Sequence, residues 1–245
     1  MRRSVYLALA VITTLVLPVR GQEPSVDDII AANLKSKGGL EKIKATTTVR
    51  MTGSVVGRDM SGQDVKGTMA MVAKRPNLMR RDATVGGQKI VNAFDGKSLW
   101  MSVGANPPQE LPGSQSAYAG QDAEFDSVFV NYKEKGHKIQ FVGKDTADGA
   151  SVYHLKVTKK GGPPQDFYLD ADTGLEKKIS VSLRTPDGAS MTSVTEFLDY
   201  RAVDGRMVPF TIRTLQNGTV ASTTTLDKVE FNAPVDDAFF KIPAR

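Results

Sequence analysis

From about residue 46 onward, apolar and polar side chains alternate in short runs, and the runs continue to residue 231. Period two marks a strand with one buried face. Residues 46–56, rich in Thr and Val, open the series. Residues 65–73 follow, with Val65, Gly67, Met69, Met71 and Ala73 on one face. Residues 78–85, 88–94 and 98–103 complete a first group. Residues 138–143, 151–158, 165–169, 175–183, 191–200, 208–215 and 221–231 form a second. Turn chemistry separates them: Gly86-Gly87, Asp95-Gly96, Asp148-Gly149, Gly161-Gly162, Asp172-Thr173-Gly174, Asp187-Gly188, Asp204-Gly205 and Asn217-Gly218. Such pairs build tight hairpins, and no helix-length gap separates the first five strands, so the connections are antiparallel. About a dozen short strands in this order predict one large antiparallel sheet, strongly curved or closed.

The helical period occurs in two places. Ser25 is a good N-cap with Asp28 three residues on, and Ile29, Ile30 and Leu34 then share a face until Gly38-Gly39 stops the helix. A short turn over Leu40–Lys44 follows. After a Pro-rich loop at 107–113, a second helix is predicted over about 116–134, with Tyr118, Phe125, Val128, Phe129 and Tyr132 on one stripe and Gly136 closing it. The tail, 235–243, reads as a final turn that tucks Phe239, Phe240 and Ile242 against the body. A sheet whose inner face is loosely covered by helices encloses an apolar cavity, a common way for β folds to hold a greasy ligand.

The first 21 residues set the compartment. Arg2 and Arg3 precede an apolar stretch that Pro18 ends, with small residues before Gln22. This is the order of a secretory leader, too short to span a bilayer comfortably. The expectation is a signal peptide over 1–21 and a single domain over 22–245, soluble and periplasmic. Removing the leader also removes Arg2, Arg3 and Arg20 from the 32 Lys+Arg, leaving a near-balance against 27 Asp+Glu. A nucleic-acid partner loses its support there. The absence of Cys excludes thiol catalysis and Cys-ligated zinc, and a chain of this length buries a core without disulfides.

Candidate chemistry is sparse. His137 and His154 lack metal-ligand spacing, and no nucleophile elbow or phosphate loop is present. The Asp pairs sit where caps and turns explain them, and Asn217-Gly218-Thr219 fits a hairpin better than a glycosylation site. The expectation is no enzyme, no metal and no cofactor. Excluding Met1, five of eight methionines fall between Met51 and Met79, namely Met51, Met60, Met69, Met71 and Met79. Methionine suits surfaces that take ligands of variable shape, and equally fills ordinary cores.

One stretch is more specific. Lys74-Arg75-Pro76-Asn77-Leu78-Met79-Arg80, then Ile90-Val91, then Phe94-Asp95-Gly96-Lys97-Ser98-Leu99-Trp100 resembles the periplasmic lipoprotein carriers of the LolA/LolB-like family, with their K-R-P-N-L-F and D-G-K-T-L-W segments at nearly this spacing. Gly38 to Lys42, Tyr132 to Lys138, Tyr168 to Gly174 and Asp199 to Gly205 are similar to a broader group of exported bacterial proteins called outer membrane lipoprotein-sorting proteins. The resemblance implies a half-open barrel of about eleven antiparallel strands with helices as a lid over an apolar cavity. It places the family's Arg on Arg75, fastening the lid through hydrogen bonds to backbone carbonyls. The chain departs from the carriers after Trp100, where Met101 to Ala105 replace an aromatic-Pro segment. Fold therefore transfers better than cargo.

These readings combine into an expected function: a monomeric periplasmic carrier that holds acyl chains of a lipoprotein or lipid, served by an inner-membrane donor and an outer-membrane acceptor. Met69, Met71, Met79, Phe94, Trp100, Phe125 and Phe129 are the cavity candidates, and Phe125 and Phe129 are equally plausible as core. The alternative is a non-enzymatic envelope sensor or scaffold of the same fold, with a solid core and a protein partner.

Overall fold

Alternation does what the pattern predicts. In the computed structural model, which describes residues 23–58, 62–113, 115–116, 120, 123–184 and 188–243, thirteen strands form one antiparallel sheet. The leader, Met60, Tyr118 and Asp187 lie outside the described residues. The first group is β1 (Thr48–Arg58), β2 (Asp64–Lys74), β3 (Leu78–Val85), β4 (Gln88–Phe94), β5 (Leu99–Val103) and a two-residue β6 (Gln109–Glu110) inside the Pro-rich loop. The second is β7 (Lys138–Ala147), β8 (Ala150–Thr158), β9 (Pro164–Asp170), β10 (Glu176–Arg184), β11 (Ser190–Val203), β12 (Arg206–Gln216) and β13 (Thr219–Phe231). Each group is a meander, and β1 zips onto β13 to join them. The sheet is open, with β6 and β7 at its edges. The segment between those two strands must therefore cross from one edge to the other.

Turn residues hold the register. Asp148-Gly149, Asp204-Gly205 and Asn217-Gly218 all have positive φ at both positions, the geometry that matches strand twist in two-residue hairpins. Register then assigns the faces. Phe231, Val49, Ala73, Met79, Phe94 and Leu99 lie directly opposite one another across successive strands, and so share the inner face. Val72, Arg80, Ala93 and Trp100 form a row on the outer face. At the β1–β13 bulge, a Cβ on Gly53 would sit 2.1 Å from the Thr225 carbonyl oxygen. Gly53→Ala is expected to lower the unfolding free energy by at least about 3 kcal/mol, because backbone must move. Urea unfolding checks this, and a midpoint unchanged from wild type would show that the bulge relaxes freely.

Two helices follow the sequence reading. Helix α1 (Val26–Ser36) has the expected capping box between Ser25 and Asp28, and the Leu40–Lys44 turn is a short helix, α2. Helix α1 lays Ile29 and Ile30 on Leu155, Val157, Phe167 and Leu169, on the inner face of the second meander. The buried Asn33 fixes it there, donating from Nδ2 to the Gly174 carbonyl at 2.8 Å.

The second predicted helix is corrected in part. Residues 113, 115–116 and 120 are helical, but from residue 123 the segment runs as bends and turns. Asn131 takes φ of 53°, which an α-helix cannot contain, and the Phe125 amide bonds the Pro76 carbonyl instead of a helical partner. Of the thirteen strands the alternation marks all but the two-residue β6, two more than the eleven or so that the resemblance implied. The tail forms a 3-10 turn at Asp237–Phe240 against the outer face. Only Phe240 is buried there, whereas Phe239 and Ile242 stay exposed.

Candidate functional site

Arg75 follows β2 and gathers three parts of the chain. Its Nε donates to the Thr46 carbonyl at 2.6 Å and its Nη2 to the Ile43 carbonyl at 2.9 Å. Nη1 and Nη2 also grip Asp126 in a two-pronged pair, both bonds 2.6 Å. The guanidinium lies 4.7 Å over the Phe125 ring. Only arginine offers enough donors in a plane to hold a carboxylate and two carbonyls together. The end of α2, the approach to β1 and the 125–126 segment are thereby tied at one point.

Under that knot the inner face is not filled. A space of ≈ 530 Å³ is floored by Phe167, Ile179, Val181, Phe197 and Pro209, interleaved with Gln165, Ser193 and Thr195, and roofed by Phe125 to Val128. An adjoining space of ≈ 220 Å³ is lined by Ile43, Val49, Met51, Val208 and Phe231. Both share Lys37, Phe125, Asp126 and Pro209, so the Phe125 ring stands at their junction. At the rim Lys37 pairs with the buried Glu176. The Tyr200 hydroxyl donates to the Glu176 carbonyl, and burial, followed by the nearby Glu176 charge, raises the phenol's pKa. The phenol therefore stays neutral. A third space, of ≈ 940 Å³ and lined mostly by charged and polar residues, joins the two edges of the sheet.

No protein-family model matches the chain, and no curated protein matches it. Solved structures do. A DUF1329 family protein from Desulfovibrio piger superposes with a TM-score of 0.60 at 13% identity, over 87% of this chain and 95% of that one. A LolA superfamily protein from Nitrosomonas europaea gives 0.55 at 14% identity, over 87% and 96%. An outer membrane lipoprotein-sorting protein domain from Vibrio parahaemolyticus gives 0.54 at 12%, over 82% and 93%.

The chain has a LolA-like fold.

Within the LolA-like frame the sequence candidates separate. Met71 and Met79 pack with Phe94 and Ala123 on the inner face, and Met69 packs beside Val208, Phe210, Leu226 and Val229. The first is a core cluster of the first meander, and the second lies mainly on β12 and β13, with Met69 packed against it from β2. Phe94 also lines the third space, and Phe125 lines the other two. Phe129 is buried core, edge-on to Phe167 at 5.3 Å. Trp100 is on the wrong face for a cavity residue: it packs with Val91 and Ala93, and its Nε1 donates to the Phe240 carbonyl at 2.7 Å. The reason is register, since Phe94 pairs with Leu99 and the next residue must point outward. The floor residues Ile179, Val181 and Phe197 were missed. Their only sequence signal is alternation with Ser180, Ser182 and Glu196, which every half-buried strand here shares.

Proposed function

We propose that the chain is a monomeric, exported carrier that holds acyl chains of a lipoprotein or lipid along the apolar side chains of the cleft between the inner face and the 125–128 segment. One observation carries this reading: an accessible floor of Ile179, Val181 and Phe197 under a segment that Arg75 holds. The Vibrio parahaemolyticus relative's name, outer membrane lipoprotein-sorting, supports the same reading. Burying alkyl surface gains about 0.8 kcal/mol per methylene, so an acyl chain of about a dozen carbons offsets much of the cost of association. Release needs only that the roof lift, which ties the latch to the cargo. A donor at the inner membrane and an acceptor at the outer membrane complete the proposed route.

The test is native mass spectrometry of the protein purified from its own envelope without detergent, followed by lipid extraction. A stoichiometric acyl-bearing adduct is the expected result. A clean apo mass, together with no binding of added dodecanoate, overturns the proposal.

A further inference from the structure

The polar space at the sheet's open side is built from both edges. Lys97 and Ser98 come from the β4–β5 turn, Glu110 from β6, Lys135 and His137 from the segment before β7, and Lys159 and Lys160 from the loop after β8. Its charges do not balance internally. Arg75 is taken by Asp126 and Lys135 by Glu124. Glu110 accepts only from the neutral Ser98, so its charge offsets one of the remaining lysines. Among the described residues no carboxylate pairs with Lys97, Lys159 or Lys160, and Lys159 is half-buried. A partly desolvated lysine without a counter-ion is costly unless a ligand supplies the negative charge.

His137 adds a second, independent sign. Its Nδ1 accepts from the Lys160 backbone amide at 3.1 Å. Burial lowers the imidazole's pKa, and the Lys135 and Lys159 charges lower it further against the pull of Glu124. The ring is therefore neutral at pH 7, with its proton on Nε2. That Nε2 is buried and has no hydrogen-bond partner. A donor without an acceptor stands in a space where Lys97, Lys159 and Lys160 outnumber the one free carboxylate, Glu110.

We infer that this space seats an anionic group, phosphate or carboxylate, and that together with the adjoining cleft it takes an amphiphile by its acidic head. The two spaces share Glu124, Asp126 and Lys159 in their linings, so one molecule reaches both. This rests on the acyl-binding reading for the tail, and on the lysine–histidine set alone for the head. Glu124 and Asp126 do not repel the anion at full strength, because each is already neutralised by its own cation.

Titration of the full mature chain with dodecyl phosphate, dodecanol and inorganic phosphate tests it. Dodecyl phosphate is expected to bind roughly tenfold or more tightly than dodecanol at low salt. The double variant Lys159→Gln/Lys160→Gln removes that advantage, whereas Lys66→Gln, exposed on β2, leaves it intact. Equal binding of the two amphiphiles overturns the head-group inference and spares the acyl reading. An advantage that survives in the double variant overturns the placement. Binding of inorganic phosphate alone, lost in the double variant, upholds the anion site with a free anion as its ligand and overturns the acyl reading. No binding of any of the three overturns both.

Discussion

Arg75→Met is expected to lower the unfolding free energy by roughly 2–3 kcal/mol, below the range for fully buried ion pairs because both partners keep some exposure. The loss is larger than that of a surface pair for two reasons. Asp126 would keep its charge at 18% side-chain exposure with no partner, and the Ile43 and Thr46 carbonyls would each lose the Arg75 donor, Ile43 keeping the Thr46 amide. The damage is local to the knot. Hydrogen exchange should speed up at the Thr46 and Phe125 amides, whose own bonds run to Ile43 and Pro76. Exchange at β8 and β9, under α1, should not change. Arg75→Lys should rescue little, since one ammonium cannot hold a carboxylate in two prongs and reach two carbonyls. A double-mutant cycle with Asp126→Asn isolates the pair from the carbonyl bonds. Wild-type exchange at Phe125 in Arg75→Met would show that the segment is held by packing alone, and the latch would be dismissed.

The residues of that knot illustrate what a sequence reveals and what it hides. Arg75 stood out because it sits in a recognisable K-R-P segment, and it donates to two backbone carbonyls. Its carboxylate partner lies 51 residues away on a segment with no repeating pattern, and nothing local marks it. The strands were legible because burial of one face imposes period two and because Asp-Gly and Asn-Gly fix the turns. Both ends of β3 and β4 fall where alternation places them. Helix 116–134 misled because apolar spacing alone cannot foresee that Asn131 will enter left-handed backbone. Trp100 misled for a different reason. Which face a strand residue occupies depends on the number of residues in the hairpin before it, and the Asp95–Ser98 turn is closed by Asp95 accepting from the Lys97 and Ser98 amides. That turn sets Phe94 against Leu99 and sends the two large aromatics, Phe94 and Trp100, to opposite sides. The cavity floor was hidden for a third reason: Val181 in a water-accessible cleft and a valine in a solid core look identical in a sequence.

That last point yields the sharpest expected effect on binding. Val181→Asp should reduce dodecanoate affinity by about a hundredfold or more while leaving the fold intact. Val181 faces the cleft and is only half-buried, so in the empty protein the new carboxylate keeps water and costs little. When the alkyl chain enters, that water must leave, and desolvating an unpaired charge costs several kcal/mol; about 2.7 kcal/mol already accounts for a hundredfold. The comparison variant is Ser182→Asp, the next residue of β10, exposed on the opposite face. Strand alternation makes this pair a clean test, because charge, strand and local propensity are matched and only the face differs. Fluorescence displacement with dodecanoate reads the affinity, and circular dichroism with urea unfolding confirms the fold. Phe197→Asp, across β11 on the same floor, should repeat the result. Equal affinities in Val181→Asp and Ser182→Asp would remove the inner-face cleft as the acyl site. The cleft would then be a packing defect of the open sheet, and the working surface would lie elsewhere.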